Sequence, residues 1–264
     1  MKIVTWNING VRARIVNLIH WLTESAPDIV CLQEIKSEDD SFPRLEIEAL
    51  GYNVETHGQK GFNGVAILSK LPFDEVNRRL PGDDSDDHAR FIEGVFSTES
   101  GALRVVSLYL PNGNPVGTEK FPYKLAWMER LHRWADQRLA LEEPLVLAGD
   151  YNVIPEPEDA KNWENWINDA LFQPETRQAY RRLLNLGFTE AIRATTDDPG
   201  VYTFWDYQAG AWQKNNGIRI DHLLLSPEAA NRLQSASVEK HVRAWEKPSD
   251  HVPVAIQLDM APRR

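Results

Sequence analysis

The feature that most limits what this chain can fold into is a short unit that recurs along it. Each instance is an apolar, β-branched run of strand length with a polar residue at one end. KIVTWNIN, DIVCLQE, RVVSLYLPNGN and LVLAGDYN close on acids or amides, whereas RIDHLLLS and SDHVPVAIQL open on polar residues. Runs of this composition read as strands with at least one buried face. GVAILSK and FIEGVFS are further strand candidates without a polar end. An acid or amide at the end of a buried strand is costly unless it has partners. For one run alone a turn is sufficient explanation, because Asp and Asn side chains bond the backbone just beyond a strand. For GDYN, SDH and the QE after DIVCL together, a shared purpose is the better account.

Helical patterns fall between these runs. RIVNLIHWL puts Ile15, Leu18, Ile19 and Leu22 on one face ahead of Pro27, and RLEIEALG ends at Gly51. Leu125, Met128, Leu131, Ala135 and Leu139 form one stripe between Tyr123 and Leu139. ETRQAYRRLLNLG stops at Gly187, and in SPEAANRL Ser226 caps a helix that starts at Pro227. GVAILSK, FIEGVFS and RVVSLYL follow one another with no helical pattern between them, which favours antiparallel pairing. The expectation is an α/β protein of two packed sheets with helices outside. No linker or composition shift marks a boundary, so residues 1–264 read as a single domain.

A net charge of -10 argues against a chain that coats nucleic acid through bulk positive charge. It leaves room for an enzyme, since a metal site demands carboxylates and local basic patches still steer phosphates. The first twenty residues hold Lys2, Arg12 and Arg14 and no acid. Cys31 is the sole cysteine, inside the apolar DIVCL, which excludes an internal disulfide and a zinc cluster built on cysteines. The leading apolar run is too short for a signal peptide, and no stretch is long enough to span a bilayer. A cytoplasmic monomer with no membrane partner is expected.

The polar ends collect Asn7, Asn9, Glu34, Tyr109, Asn112, Asp150, Asn152, Asp221, Asp250 and His251. Strand ends of packed sheets can converge on one edge, where sites in layered folds commonly form. The set holds carboxylates, amides, a phenol and a histidine, and neither serine nor cysteine as nucleophile. Oxygen donors with amides suit a hard divalent ion such as Mg²⁺ or Mn²⁺. A histidine beside carboxylates can be held cationic and aimed at a phosphate oxygen. This is equipment for metal-assisted attack of water on a phosphodiester.

WNINGVRA, CLQEIK, GVAILSK, LYLPNGN, GDYNVIP, YTFWDY, GIRIDHLLLS and SDHVPV occur in this order from Lys2 to about Leu258. Together they resemble the exonuclease III family of apurinic/apyrimidinic (AP) endonucleases, and HGQKG at 57–61 resembles its bacterial branch. The resemblance implies a four-layered α/β sandwich like that of deoxyribonuclease I, with two packed mixed β-sheets flanked by helices. It implies roles for matching residues: Glu34 as principal metal ligand with Asn7 and Asn9 close by, and Asp250 near the metal. Asp150 would orient or deprotonate the attacking water, with Asn152 beside the scissile phosphate. Asp221 would hold His251 toward the phosphate, and Tyr109 and Asn112 would touch it. Some relatives have Asp at the position of Asn9, which leaves the number of metal ions open.

VYTFWDYQAGAWQKNNGIRIDH alone reads equally as a hairpin with an aromatic face. The resemblance implies that Phe204, Trp205, Ile218 and Ile220 wall a slot for an extruded abasic sugar, which has little stacking to lose. Arg12, Lys36, Lys60, Lys120 and Lys124 are candidate contacts to the DNA backbone. The implied activity is Mg²⁺-dependent incision (Mn²⁺ as alternative) of double-stranded DNA 5′ to abasic sites, with 3′-5′ exonuclease action and trimming of blocked 3′ ends. The rival readings are a phosphodiesterase or phosphatase of the same fold acting on inositol phosphates, sphingomyelin or RNA, and a catalytically inactive DNA-binding module. DDSDD at 83–87 reads as a solvated turn, WENWIND as a surface loop that fills core or edges the substrate, and the terminal APRR as frayed.

Overall fold

The computed structural model describes residues 1–263. Among these the strands are β1 (Lys2–Asn7), β2 (Ile29–Gln33), β3 (Asn53–His57), β4 (Val65–Ser69), β5 (Glu75–Arg78), β6 (Phe91–Thr98), β7 (Gly101–Tyr109), β8 (Leu145–Asp150), β9 (Thr189–Glu190), β10 (Asp221–Leu225), β11 (Leu233–Val238) and β12 (Val254–Leu258). The helices are α1 (Ile15–Ser25), α2 (Arg44–Glu48), α3 (Lys120–Leu139), α4 (Pro174–Leu184), α5 (Ala191–Thr195) and α6 (Pro227–Ala230). The strands form two six-stranded sheets, ordered β11-β12-β1-β2-β4-β3 and β5-β6-β7-β8-β10-β9.

Each sheet is built around one parallel pair, β1 with β2 and β7 with β8, and the other pairs are antiparallel. A parallel pair needs a crossover, and α1 and α3 supply it on the outer faces. α1 buries Leu18, Trp21 and Leu22 against Val4, Trp6, Val30 and Leu32 of the first sheet. α3 and α4 bury Trp127, Leu131, Tyr180 and Leu183 against Val106, Leu108, Leu145 and Leu147 of the second. The facing sides of the two sheets share a third apolar cluster that includes Ile3, Cys31, Ile67, Val105, Val146 and Leu223. The order helix, sheet, sheet, helix is the four-layered sandwich.

This topology explains why some runs end in polar residues and others begin with them. The parallel strands leave their carboxyl ends at one edge, and the antiparallel β10 and β12 bring their amino ends to the same edge. Asp150 is paired with both Tyr109 and Asp221 across the ladder, and Asn7 with Gln33. The two-residue period of a strand puts Ile3, Thr5 and Asn7 on one face, as it does Val146, Ala148 and Asp150. The facing sides therefore grade from apolar to polar toward one rim. Gln33, Thr5 and Ser107 are fully buried just below it, with Gln33 Nε2 donating to Thr5 Oγ1 at 3.0 Å and Ser107 Oγ at 3.1 Å.

Three expectations need correction. GVAILSK does not pair with FIEGVFS: β4 lies in the first sheet between β2 and β3, and the chain crosses to the second sheet before β5. Short connections of this kind join packed layers as readily as neighbouring strands. The acidic turn at 83–87 is only partly solvated, because the Asp86 carboxylate accepts from Arg130 Nη1 at 2.8 Å and from the Tyr123 hydroxyl at 3.0 Å. At the end of the chain Pro262 bridges Thr98, so the APRR segment is tied down there, and Arg264 lies outside the described residues. No helix among the described residues is long and apolar enough to cross a membrane.

Candidate active site

The polar rim is assembled from both sheets. Asn7 and Glu34 come from the ends of β1 and β2, Tyr109, Asp150 and Asp221 from β7, β8 and β10, and Asp250 and His251 from the segment ahead of β12. Asn7 Nδ2 joins the two halves, donating to Glu34 Oε1 and to Asp150 Oδ2, each at 2.9 Å. His251 Nδ1–H donates to Asp221 Oδ2 at 2.8 Å, and its Nε2 lies 3.6 Å from Asp150 Oδ2. The Ser249 hydroxyl donates to the Asn7 carbonyl at 2.6 Å and accepts from the His251 amide, which fixes the SDH segment on β1.

Local backbone is forced at this rim. Asn9, Glu34, Lys36 and Asn152 all have left-handed φ, at +47°, +46°, +52° and +47°. Asn tolerates this region, whereas a glutamate or lysine there is strained and is kept only by its surroundings. Gly10 N–H and Val11 N–H hold the Glu34 and Ile35 carbonyls at 2.7 and 3.0 Å, and the Asn63 and Gly64 carbonyls accept from Lys36 and Ile35. Asp150 serves twice: Oδ1 closes the turn by accepting from the Asn152 amide at 3.0 Å, and Oδ2 faces the cluster. Gly149 is required beside it, since a Cβ there would lie 2.1 Å from the Leu108 carbonyl oxygen.

Burial and charge set the protonation states. Burial pushes Asp150 up to about 7; Asp221 and Glu34 add to this, and His251 and the Asn7 amide oppose it. Burial also works against a cationic His251, but the carboxylates of Asp221 and Asp150 carry it up to about 10. Burial would raise Glu34, yet the Asn7 hydrogen bond and the Lys36 and His251 cations leave it below its ordinary value. The Tyr109 phenol is driven well up by burial and by the Glu34 and Asp150 charges, and so stays protonated. Arg90 lies over the Tyr109 ring at 5.0 Å and donates to its carbonyl.

Beside the cluster a cavity of about 230 Å³ is walled by Trp166, Leu171, Phe204, Ile218 and Ile220, with Asn112, Asn152 and His251 at its polar end. A larger groove of about 670 Å³ near Tyr52 is lined by Arg44, Glu48, Asn53 and Glu55, whose acids pair with Arg44 and Arg78 and which include no histidine. Glu34, Asp150 and His251 each place one ligand atom within 4.8 Å of the others. Two carboxylates converging here, with Asp221 Oδ1 buried and without a hydrogen-bond partner, form an oxygen-rich set suited to a hard divalent cation.

Several expected residues take other places. Asn7 turns its NH₂ to the carboxylates, and its oxygen accepts from the Asn9 amide. The Asn9 oxygen is likewise occupied, by Lys36 Nζ at 2.6 Å. Asp250 lines the cavity one step outward, accepting from Asn9 Nδ2 at 3.3 Å. Trp205 does not wall the slot: neighbouring residues of an extended chain face opposite ways, and it packs behind with Tyr202 and Val252. Lys124 is fully buried and cannot reach a DNA backbone, whereas Arg12, Lys60 and Lys120 are exposed. Leu171 and Asn114 were not picked out from the sequence as cavity lining, and Trp166 and Asp169 were reached only through the WENWIND stretch, read as core filler or a substrate edge.

The arrangement matches known proteins closely. Residues 4–251 fit the model of the Endonuclease/Exonuclease/phosphatase family, and the chain belongs to that family. It is 36% identical to exodeoxyribonuclease III of Haemophilus influenzae, over 96% of this chain and 98% of that one. Among solved structures, it resembles an AP endonuclease from Archaeoglobus fulgidus with a TM-score of 0.92 and 36% identity, over 98% and 99% of the two chains. It also resembles the 3′ phosphatase NExo from Neisseria bound to a product DNA hairpin, with a TM-score of 0.94 and 35% identity, again over 98% and 99%. The class is a hydrolytic nuclease of a metal-dependent family, and its acidic cluster could hold a metal ion.

Proposed function

We propose that this chain is a DNA-repair phosphodiesterase that incises duplex DNA 5′ to abasic sites and trims blocked 3′ ends. The observation that carries the reading is the convergence of Glu34, Asp150 and a cationic His251 at the mouth of a small apolar slot. The relatives described as an AP endonuclease and a 3′ phosphatase support both halves of the proposal. The aromatic and isoleucine walls favour it over other phosphodiesterases of the fold, because a sugar without its base fits a narrow apolar slot and a normal nucleotide does not.

Glu34 would hold the cation, Mg²⁺ by preference with Mn²⁺ as substitute, and Asp250 would support it through Asn9. Such a cation supplies Lewis-acid polarisation of the phosphate. Asp150 accepts a proton from the attacking water, for which its raised affinity for protons suits it. His251, kept cationic by Asp221, donates from Nε2 to a non-bridging phosphate oxygen, where negative charge accumulates as the new P–O bond forms. The protonated Tyr109 and the amides of Asn112 and Asn152 donate to the same phosphate. The bond from phosphorus to the 3′ oxygen breaks and the departing alkoxide takes a proton from solvent water, leaving a 3′-hydroxyl and a 5′-deoxyribose phosphate. Both half-sites are needed, and the apolar cluster shared by the two sheets supports reading the chain as one domain.

The test is a duplex carrying one abasic analogue, incubated with Mg²⁺ and with chelator. Incision at the analogue only with the cation is expected. An intact strand in both arms, with hydrolysis of another phosphodiester by the same preparation, would transfer the site to a different substrate.

A further inference from the structure

A lysine buried without a carboxylate partner needs a reason. Lys124 lies early in α3 with its side chain wholly inside, and among the described residues its ammonium makes no ion pair. Burial lowers it to about 7, and the nearby charges of Asp150 and Asp169 only partly offset this. An apolar side chain of the same length would be cheaper to bury. The ammonium instead donates to two main-chain carbonyls, Asn112 at 3.0 Å and Asn152 at 2.6 Å. These are the residues whose amides stand at the polar end of the slot. Asn152 is in the left-handed region, one N–H of its side-chain NH₂ donates to the Leu110 carbonyl at 2.8 Å and leaves the other for the phosphate, and its Oδ1 lies 3.5 Å from Asn112 Nδ2. The segment between them makes room for the lysine: Gly113 has φ +88°, and a Cβ there would lie 2.7 Å from Lys124 Cδ.

We infer that Lys124 is a positioning residue, an internal clamp that ties the loops after β7 and β8 together and sets Asn112 and Asn152 toward the scissile phosphate. It touches neither substrate nor reacting atoms. Its effect is therefore on turnover and not on DNA affinity, and this expectation rests on the reaction proposed above. A displacement of the two amides by a fraction of an ångström to one ångström costs rate steeply, since aligned donors act only over a short range.

The test is Lys124→Met, which keeps the stem and removes the donors. Turnover on the abasic duplex is expected to fall by about tenfold to a hundredfold, with KM changed by less than about threefold and the Mg²⁺ midpoint unmoved. A folded variant with turnover within about twofold of the parent, or with KM alone raised, would overturn the inference. If Lys124→Met does not fold, Lys124→Gln is read by the same split. A second readout needs no activity: the side-chain amide NMR signals of Asn112 and Asn152 in the free protein should shift in the variant, and unmoved signals also overturn the clamp. Shifted signals in a protein whose parent does not incise the duplex would leave the clamp standing and remove the proposed reaction.

Discussion

Two buried clusters of charge lie on opposite sides of β10 and differ in one respect. Behind the slot, Arg219 donates to Asp159 at 2.8 Å and pairs with Glu190 at 3.0 Å, and Arg193 donates to the same Asp159 oxygen at 2.7 Å. His222 Nδ1 accepts from Arg219, and its Nε2–H donates to the Val153 carbonyl. Against burial, the guanidiniums hold Asp159 below its ordinary range, while burial and the Arg219 charge push His222 down to about 3. Each acid there has a cation. At the rim, Glu34, Asp150 and Asp221 share one buried cation, His251, with Lys36 outside at 3.2 Å from Glu34. The consequence is a raised Asp150; an unpartnered carboxylate oxygen does not tell the clusters apart, since Asp221 and Glu190 each have one. Both clusters are buried and dense in charge, so neither property marks a site. Imbalance does, because an uncompensated acid cluster is kept only where a cation or a proton is to be received.

The sharpest way to break this comparison is Asp150→Asn, which keeps shape and the turn-closing acceptor but removes the proton acceptor. Turnover should drop by about 10²–10⁴-fold while duplex binding in chelator is retained. Near-normal incision would show that the imbalance is not catalytic. Arg219→Met attacks the balanced cluster, leaving Asp159 and Glu190 under-compensated. Stability should fall by about 3–5 kcal/mol in urea denaturation, with the Mg²⁺ midpoint unchanged. A shift in that midpoint would mean the two clusters are coupled. Glu34→Gln reduces the imbalance and should raise the Mg²⁺ needed for half-maximal rate by about 10–100-fold. An unchanged titration would remove Glu34 from the cation site.

The difference between the clusters also explains what could be read beforehand. Inward rim residues were legible because the two-residue period links each to an apolar partner on the same face, as Asn7 follows Ile3 and Thr5. The edge strands β3, β5 and β11 were not legible, because an edge with a wet face carries polar residues and no long apolar run. Which sheet receives β4 depends on packing between layers, and no local pattern records it. Trp205 and Lys124 were misread for opposite reasons. An aromatic next to Phe204 suggests a shared wall until strand alternation turns it away, and a lysine reads as surface until its ammonium finds carbonyls inside. The balanced cluster was invisible because Asp159, Glu190 and Arg219 are far apart in sequence and none of them ends an apolar run.

The smallest expected effect is in the pH dependence of stability without divalent cation, and it separates the clusters by titration. Asp150 rises on folding from an unfolded value near 3.9 to about 7, and His251 from near 6.5 to about 10. A group raised on folding contributes fully below its unfolded value and loses that contribution as pH climbs through its folded one. Stability should therefore decline from Asp150 between about 4 and 7, and from His251 between about 6.5 and 10. Lys124 has the opposite sign: lowered on folding to about 7, it disfavours the native state at low pH and regains stability between about 7 and 10.4. The His251 and Lys124 terms oppose each other in the alkaline range, so the parent curve should fall less steeply there than it would without the lysine. Lys124→Met should expose the His251 decline, and Asp150→Asn should remove the acid-side one. Within the Arg219 cluster Asp159 titrates below this window, while His222, lowered on folding from near 6.5 to about 3, adds stability as pH rises between those values and so opposes the Asp150 decline on the acid side only. Parallel urea curves for the parent and Lys124→Met across the alkaline range would show that the lysine is not a buried cation.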